Sequence, residues 1–188
     1  MFQLWGKSPS RELVLTDEEK LLMNHQNDSL KQGIYTLWLE ADALSYPIVC
    51  KPEVSSRLRD SVETIEVFST GKQIYPLMKN ARLVVGGKFP EKSVICLLEK
   101  SNRFSALKTR WTEEGLEAFP RVLGEYTVRQ DTIAPVVLYT GRAGQKIRFK
   151  MVDDLSGISS YRVEVNGKWF LFTYDAKNRL LEGNINEP

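Results

Sequence analysis

The chain has a single histidine, His25, among 188 residues. No Ser-His-Asp or Cys-His pair can be assembled around it, and no nucleophile signature surrounds it. Cysteine is almost as scarce. Cys50 and Cys96 are compatible with either redox compartment, and both lie in apolar, strand-like runs. A disulfide between them and two buried thiols acting as small hydrophobes both remain open. No apolar run approaches the ~18 residues of a membrane-spanning helix. Residues 1–6, MFQLWG, have neither the basic start nor the apolar core of a signal peptide, which leaves location undecided. Charge of one sign is also missing: 26 Lys and Arg face 24 Asp and Glu, a net of +2. Neither half is polarised, so the basic stripe of a nucleic-acid binder is absent.

What is present is strand grammar, clearest from Asp131 to Tyr174. Residues 146–151, KIRFKM, alternate charged with apolar, as a strand with one wet and one buried face does. Residues 161–165, YRVEV, repeat the pattern. Asn166-Gly167 then leads into 168–174, KWFLFTY, and Asn-Gly between alternating runs predicts a type I′ hairpin. Upstream, the spacing predicts strands over 46–50, 63–68, 81–85, 93–98, 104–111, 116–119 and 125–128. A further strand within 33–44 is apolar on both faces, so it is expected to be central and covered on both sides. Leu13-Val14-Leu15 reads as a short strand, and Thr16-Asp17-Glu18-Glu19 as the capping box of a short helix or as a plain loop. Turn signals every 8–12 residues or so argue for sandwiches.

The expected fold is all-β: two tandem β-sandwich modules, 1–130 with an irregular N-terminal segment, and 131–188. Pro135 marks the entry to the second, since it cannot sit in a central strand. Within the second module four strands are clear and 179–181 supplies a fifth. An immunoglobulin-type sandwich takes about 100 residues and seven strands. This module is therefore truncated, or completed by strands from the first.

The residues DTIAPVV (131–137), DDLSGISSYRVEVNGKW (153–169) and LFTYDAKNRLL (171–181) resemble the C-terminal immunoglobulin-like module of lysostaphin-type, peptidoglycan-cleaving zinc metallopeptidases of Gram-negative bacteria. The runs LEADAL, SALKTRW and LGEYTVRQD resemble the module before it. The family holds zinc with two histidines and an aspartate, one pair set as His-x-His. One histidine cannot supply that, so the family's catalytic residues carry over to nothing here. The resemblance implies a non-catalytic accessory and spacer region in the periplasm or cell envelope. Its partners would be the catalytic domain of a longer chain or an envelope protein, and a cell-wall glycan. No cofactor is expected.

Few residues stand out as sites. Asp153 and Asp154, with Asp131 and Asp175, are weak calcium candidates; the plainer reading is a turn with Gly157 in a left-handed conformation. Gly86-Gly87-Lys88 lacks Walker spacing and reads as a hairpin bend. Glu18-Glu19 and Glu113-Glu114 read as solvated turns. In the aromatic run, Trp169 and Leu171 are expected in the core. Phe170, Phe172 and Tyr174 are left as binding-surface candidates able to stack on sugars or anchor a partner. Trp38 and Trp111 are expected in the core. A carbohydrate- or protein-binding β-sandwich is the rival reading.

Overall fold

A computed structural model describes residues 14–59, 63–72, 74–99 and 103–185. Every regular element among them is a strand, and the chain divides between Gln130 and Asp131 into two compact units. In the first unit the strands are β1 (Lys20–Leu22), β2 (Asp28–Gln32), β3 (Tyr35–Leu39), β4 (Ile48–Cys50), β5 (Glu53–Arg59), β6 (Glu63–Ser69) and β7 (Tyr75–Pro76). They continue as β8 (Arg82–Gly86), β9 (Ser93–Leu98), β10 (Phe104–Ala106), β11 (Arg110–Thr112), β12 (Gly115–Ala118), β13 (Val122–Leu123) and β14 (Glu125–Gln130). The second unit holds β15 (Val136–Ala143), β16 (Lys146–Val152), β17 (Val163–Val165), β18 (Lys168–Phe170), β19 (Phe172–Asp175) and β20 (Leu180–Asn184).

The first unit is a sandwich of two five-stranded sheets, ordered β10-β9-β14-β6-β5 and β11-β12-β8-β3-β2. Tyr35, Leu37, Leu83, Val85 and Leu116 from the second sheet meet Phe68, Ile95 and Tyr126 from the first in one core. Tyr35 lies flat on Phe68 across the layers, ring centres 5.2 Å apart, and Phe68 in turn packs on its cross-strand partner Tyr126 at 6.5 Å.

Strand β3 is central, between β2 and β8, but it is covered on one face only. Tyr35, Leu37 and Leu39 are buried, whereas Trp38 on the other face is 49% exposed. The expectation of two covered faces, and of Trp38 in the core, is thus corrected. Trp111 is exposed too. It points to the core side by register, opposite Leu116, but β11 is the sheet edge and the core ends beneath it.

Two expected continuities break. Residues 104–111 are not one strand: β10 belongs to one sheet and β11 to the other. At the switch Leu107 N–H donates to the Ile95 carbonyl (2.8 Å), and the Thr109 hydroxyl accepts from Ile95 N–H (2.9 Å) while donating to the Leu107 carbonyl (2.9 Å). The backbone is thereby satisfied through the crossing. Likewise Gly86-Gly87 is no hairpin bend, since β8 and β9 lie in different sheets.

No helix forms after Thr16. The Glu19 carboxylate accepts from both the N–H and the hydroxyl of Thr16 (3.1 Å each), and Glu19 N–H donates to the Thr16 carbonyl at 3.0 Å. That closes a single turn. The next three residues pair antiparallel with 48–50 as β1 and β4. Val14 and Leu15 form no strand, and Leu13 lies outside the described residues.

In the second unit a four-stranded sheet, β15-β16-β20-β19, and a two-stranded ribbon, β17-β18, share a core of Met151, Phe172 and Leu181. Asn166 and Gly167 both have positive φ (51° and 76°), as a type I′ turn requires. The run 168–174 is split at Leu171 between ribbon and sheet. The Tyr161 hydroxyl, donating to the Phe172 carbonyl (3.1 Å) and accepting from Tyr174 N–H (3.2 Å), pins the far side of that break.

Candidate binding surfaces

The aromatic run alternates through Leu171, but with the opposite faces to those expected. Phe172 is only 4% exposed, and Phe170 and Tyr174 pack against it, while Trp169 and Leu171 are 57% and 71% exposed. The residues expected as a binding surface therefore build the core, and those expected in the core face outward.

The acidic loop folds as a turn. Asp153 Oδ1 accepts from the N–H groups of Leu155 (2.9 Å) and Gly157 (2.7 Å), and Gly157 has φ 82°. Asp131 Oδ2 accepts from Ser156 N–H (3.1 Å) and from its hydroxyl. The Asp175 carboxylate accepts from Lys177 and Asn178 N–H and from the Asn178 amide, and the Asn178 contacts hold its pKa below the usual range. Among the described residues no group of three or more His, Cys, Asp and Glu side chains is placed to hold a metal. No helix long and apolar enough to cross a membrane occurs among the described residues. His25 is exposed, with Nδ1 2.9 Å from Asp42 Oδ1 and Nε2 2.9 Å from the Asn24 amide.

Both cysteines are buried and unbonded to each other. Burial pushes the Cys50 thiol up to about 11. The folded value lies above the unfolded one of ~8.5. The neutral thiol's contribution to stability is therefore present below ~8.5 and lost as pH climbs toward 11. We expect a thiol-specific chromogenic reagent to react with neither cysteine in the native chain at neutral pH and with both in denaturant. Rapid native labelling would contradict this burial.

Two surfaces remain whose residues sequence reasoning did not place. The first is a groove of about 520 Å³ on the outer face of the first unit, lined by Trp38, Phe119, Arg82, Asn80, Glu40 and the start of β2. Trp38 and Arg82 are cross-strand partners, and Phe119 follows β12 one residue past the Ala118–Leu83 pair. Arg82 donates to Glu117 at 2.6 Å and approaches Glu114 at 3.5 Å, and the Glu117 bond raises its pKa. Arg110 lies over the Phe119 ring, 5.3 Å from its centre, yet Phe119 stays 40% exposed.

The second surface is β15. It pairs only with β16 among the described strands, so one side of eight residues of backbone is unpaired. Val136, Val137, Leu138 and Tyr139 are each more than half exposed. Val137 and Tyr139 stand opposite Met151 and Phe149, and so carry the unit's apolar core face out onto the edge. No charge interrupts 133–141. Natural sheets blunt such edges with lysine, proline or a covering element; here Pro135 precedes the strand, and only a bulge at Tyr139–Gly141 disturbs its register.

A second groove, about 500 Å³, runs past Glu18, Lys20, Lys31, Lys51 and Glu53. Its charges are partly spent internally, with Lys51 2.6 Å from Glu18 and Lys20 2.5 Å from Asp28. Compared with protein-family models, with curated proteins and with solved structures, the chain matches none.

Proposed function

We propose that this chain is a non-catalytic accessory and spacer region of a cell-envelope, peptidase-like protein, docking its partner through β15 of an immunoglobulin-like second unit. The observation that carries this reading is the eight-residue open edge with apolar side chains on both faces. A strand added there satisfies the outward N–H and C=O groups. Its alternate side chains cover Val137 and Tyr139 on one face and Val136 and Leu138 on the other. Roughly 500 Å² of apolar surface would be removed from water on this unit, within the range of a transient interface.

The envelope setting comes from the resemblance of 131–181 to the modules downstream of lysostaphin-type catalytic domains. The first unit supplies separation: its two sheets are held together by the Tyr35–Phe68 stack, and one of them is braced across β6 by a bidentate Arg57–Glu125 pair at 2.7 and 2.6 Å.

Hydrogen exchange tests the docking. Adding a lysostaphin-type catalytic domain in trans should slow exchange at Val136–Ala143 amides and leave β8 and β3 unchanged. Substituting Leu138→Lys and Tyr139→Lys together should abolish that protection. Unchanged exchange at β15, or peptide release from peptidoglycan by this chain alone, would overturn the reading.

A further inference from the structure

We infer that the groove between Trp38 and Phe119 is a binding site for an uncharged oligosaccharide. Three observations converge. The first is the aromatic pair. Trp38 and Phe119 are 49% and 40% exposed on a sheet face whose interior strands, β3 and β8, bond to their neighbours on both sides. Strands ~4.8 Å apart place the two rings roughly 10 Å from each other across β3, β8 and β12, with Arg82 between them. Two flat apolar surfaces at that separation fit the C–H faces of successive sugar rings.

The second is the state of the charges. Arg82 is neutralised by Glu117 and Glu114, and Asp28 by Lys20. Arg82, the cation among the groove's lining residues, is already paired, and Arg110 beside it is held over the Phe119 ring, so phosphate and acidic peptides gain little there. The third is spare hydrogen-bonding capacity. The Asn27 carbonyl oxygen is taken by Ala41 N–H at 2.8 Å, which leaves its NH₂ to donate. Among the described residues Asn80 and Glu40 make no side-chain hydrogen bond, yet both line the groove. Amide donors and a carboxylate acceptor around a ring platform match hydroxyl groups, which donate and accept at once.

A peptide is the weaker fit. β3 and β8 have no unpaired main-chain groups to offer, so a bound chain would leave its own amides unsatisfied against the aromatic rings. A sugar has no such requirement. This site and the β15 edge lie on different units and rest on different residues, so either can fail without the other.

The test is calorimetric titration of the whole chain with two probes, cellohexaose and chitohexaose, and with Trp38 indole N–H followed by NMR. Saturable heat and a shifted indole resonance are expected with at least one probe, and the responding probe shows whether N-acetyl groups are required. Trp38→Ala should weaken binding about tenfold or more, Trp38→Tyr should retain most of it, and Trp169→Ala should leave it unchanged. Asn80→Ala, a surface change that keeps the platform, should weaken binding with the unfolding midpoint unmoved. Two results would overturn the inference: no saturable response to either probe, or Trp38→Ala binding as tightly as the wild type.

Discussion

Replacing Phe172 by Ala is expected to unfold the second unit and leave the first intact. Phe172 is 4% exposed and forms the unit's small core with Met151 and Leu181, ringed by Phe149, Phe170 and Tyr174. Removing a buried phenyl ring costs about 3–5 kcal/mol. A unit of this size has stability on the order of 3–9 kcal/mol, so much or all of it is consumed. The site has little means of collapsing into the void. Phe172 stands opposite Gly183, with its ring over the glycine backbone, so its direct cross-strand partner has no side chain to move into the space.

An NMR spectrum decides the matter. Resonances of residues 131–185 should collapse toward random-coil positions in Phe172→Ala while those of β3, β8 and β14 hold their places. Leu171→Ala and Trp169→Ala, at 71% and 57% exposed, should each shift stability by about 0.5 kcal/mol or less. The opposite pattern, a folded Phe172→Ala and an unfolded Leu171→Ala, would restore the face assignment that periodicity suggests. Because β15 pairs only with β16 of this unit, its exchange protection by a partner should vanish in Phe172→Ala as well.

The reason periodicity misplaced these faces is local. In KWFLFTY five of seven residues are apolar, so alternation carries no sign for inside and outside. The break at Leu171 then hands the chain from ribbon to sheet. Where one face was plainly charged the reading held, as in KIRFKM, whose Lys146 and Arg148 pair with Glu182 on the wet side at 2.6 and 3.3 Å. Strands 63–68 and 93–98 were legible as short apolar, β-branched-rich runs, and the Asn166-Gly167 turn because backbone chemistry alone dictates it.

Other elements left no comparable trace. β5, EVSSRLR, has two apolar residues in seven, and it is a strand because β6 pairs along its full length. β2 was hidden in a polar stretch for the same cause. The Thr16–Glu19 pair formed as its residue types suggested. A cap does not create a helix, however, when the residues after it gain more by pairing with 48–50. The groove at Trp38 was illegible because a tryptophan among leucines reads as core. Its exposure follows from sheet order, which no local pattern encodes.

Gly115→Ala should be among the most damaging single-methyl changes in the first unit. Gly115 sits at φ 135°, a conformation L side chains rarely adopt, and opposes Gly86 across β12 and β8. A Cβ there would lie 2.2 Å from the Val85 carbonyl oxygen and 3.1 Å from Gly86 Cα. The obstruction is backbone, and β8 is held between β12 and β3, so neither side can retreat without opening the sheet. Strain at such a φ costs about 1–3 kcal/mol by itself. Overpacking adds typically ~1–3 kcal/mol more. Gly87→Ala separates the two contributions, because φ there is also positive (118°) but the nearest atom to a new Cβ is Phe89 Cε2 at 3.9 Å. Gly87→Ala should therefore lose only the conformational part, and Gly115→Ala roughly twice as much or more. Denaturant unfolding followed by first-unit resonances measures both. Since β12 delivers Phe119 to the groove, oligosaccharide binding should fall with Gly115→Ala and survive Gly87→Ala. Equal losses in the two variants would mean that β8 yields to the added methyl, and that the sheet under the groove is softer than its pairing on both sides implies.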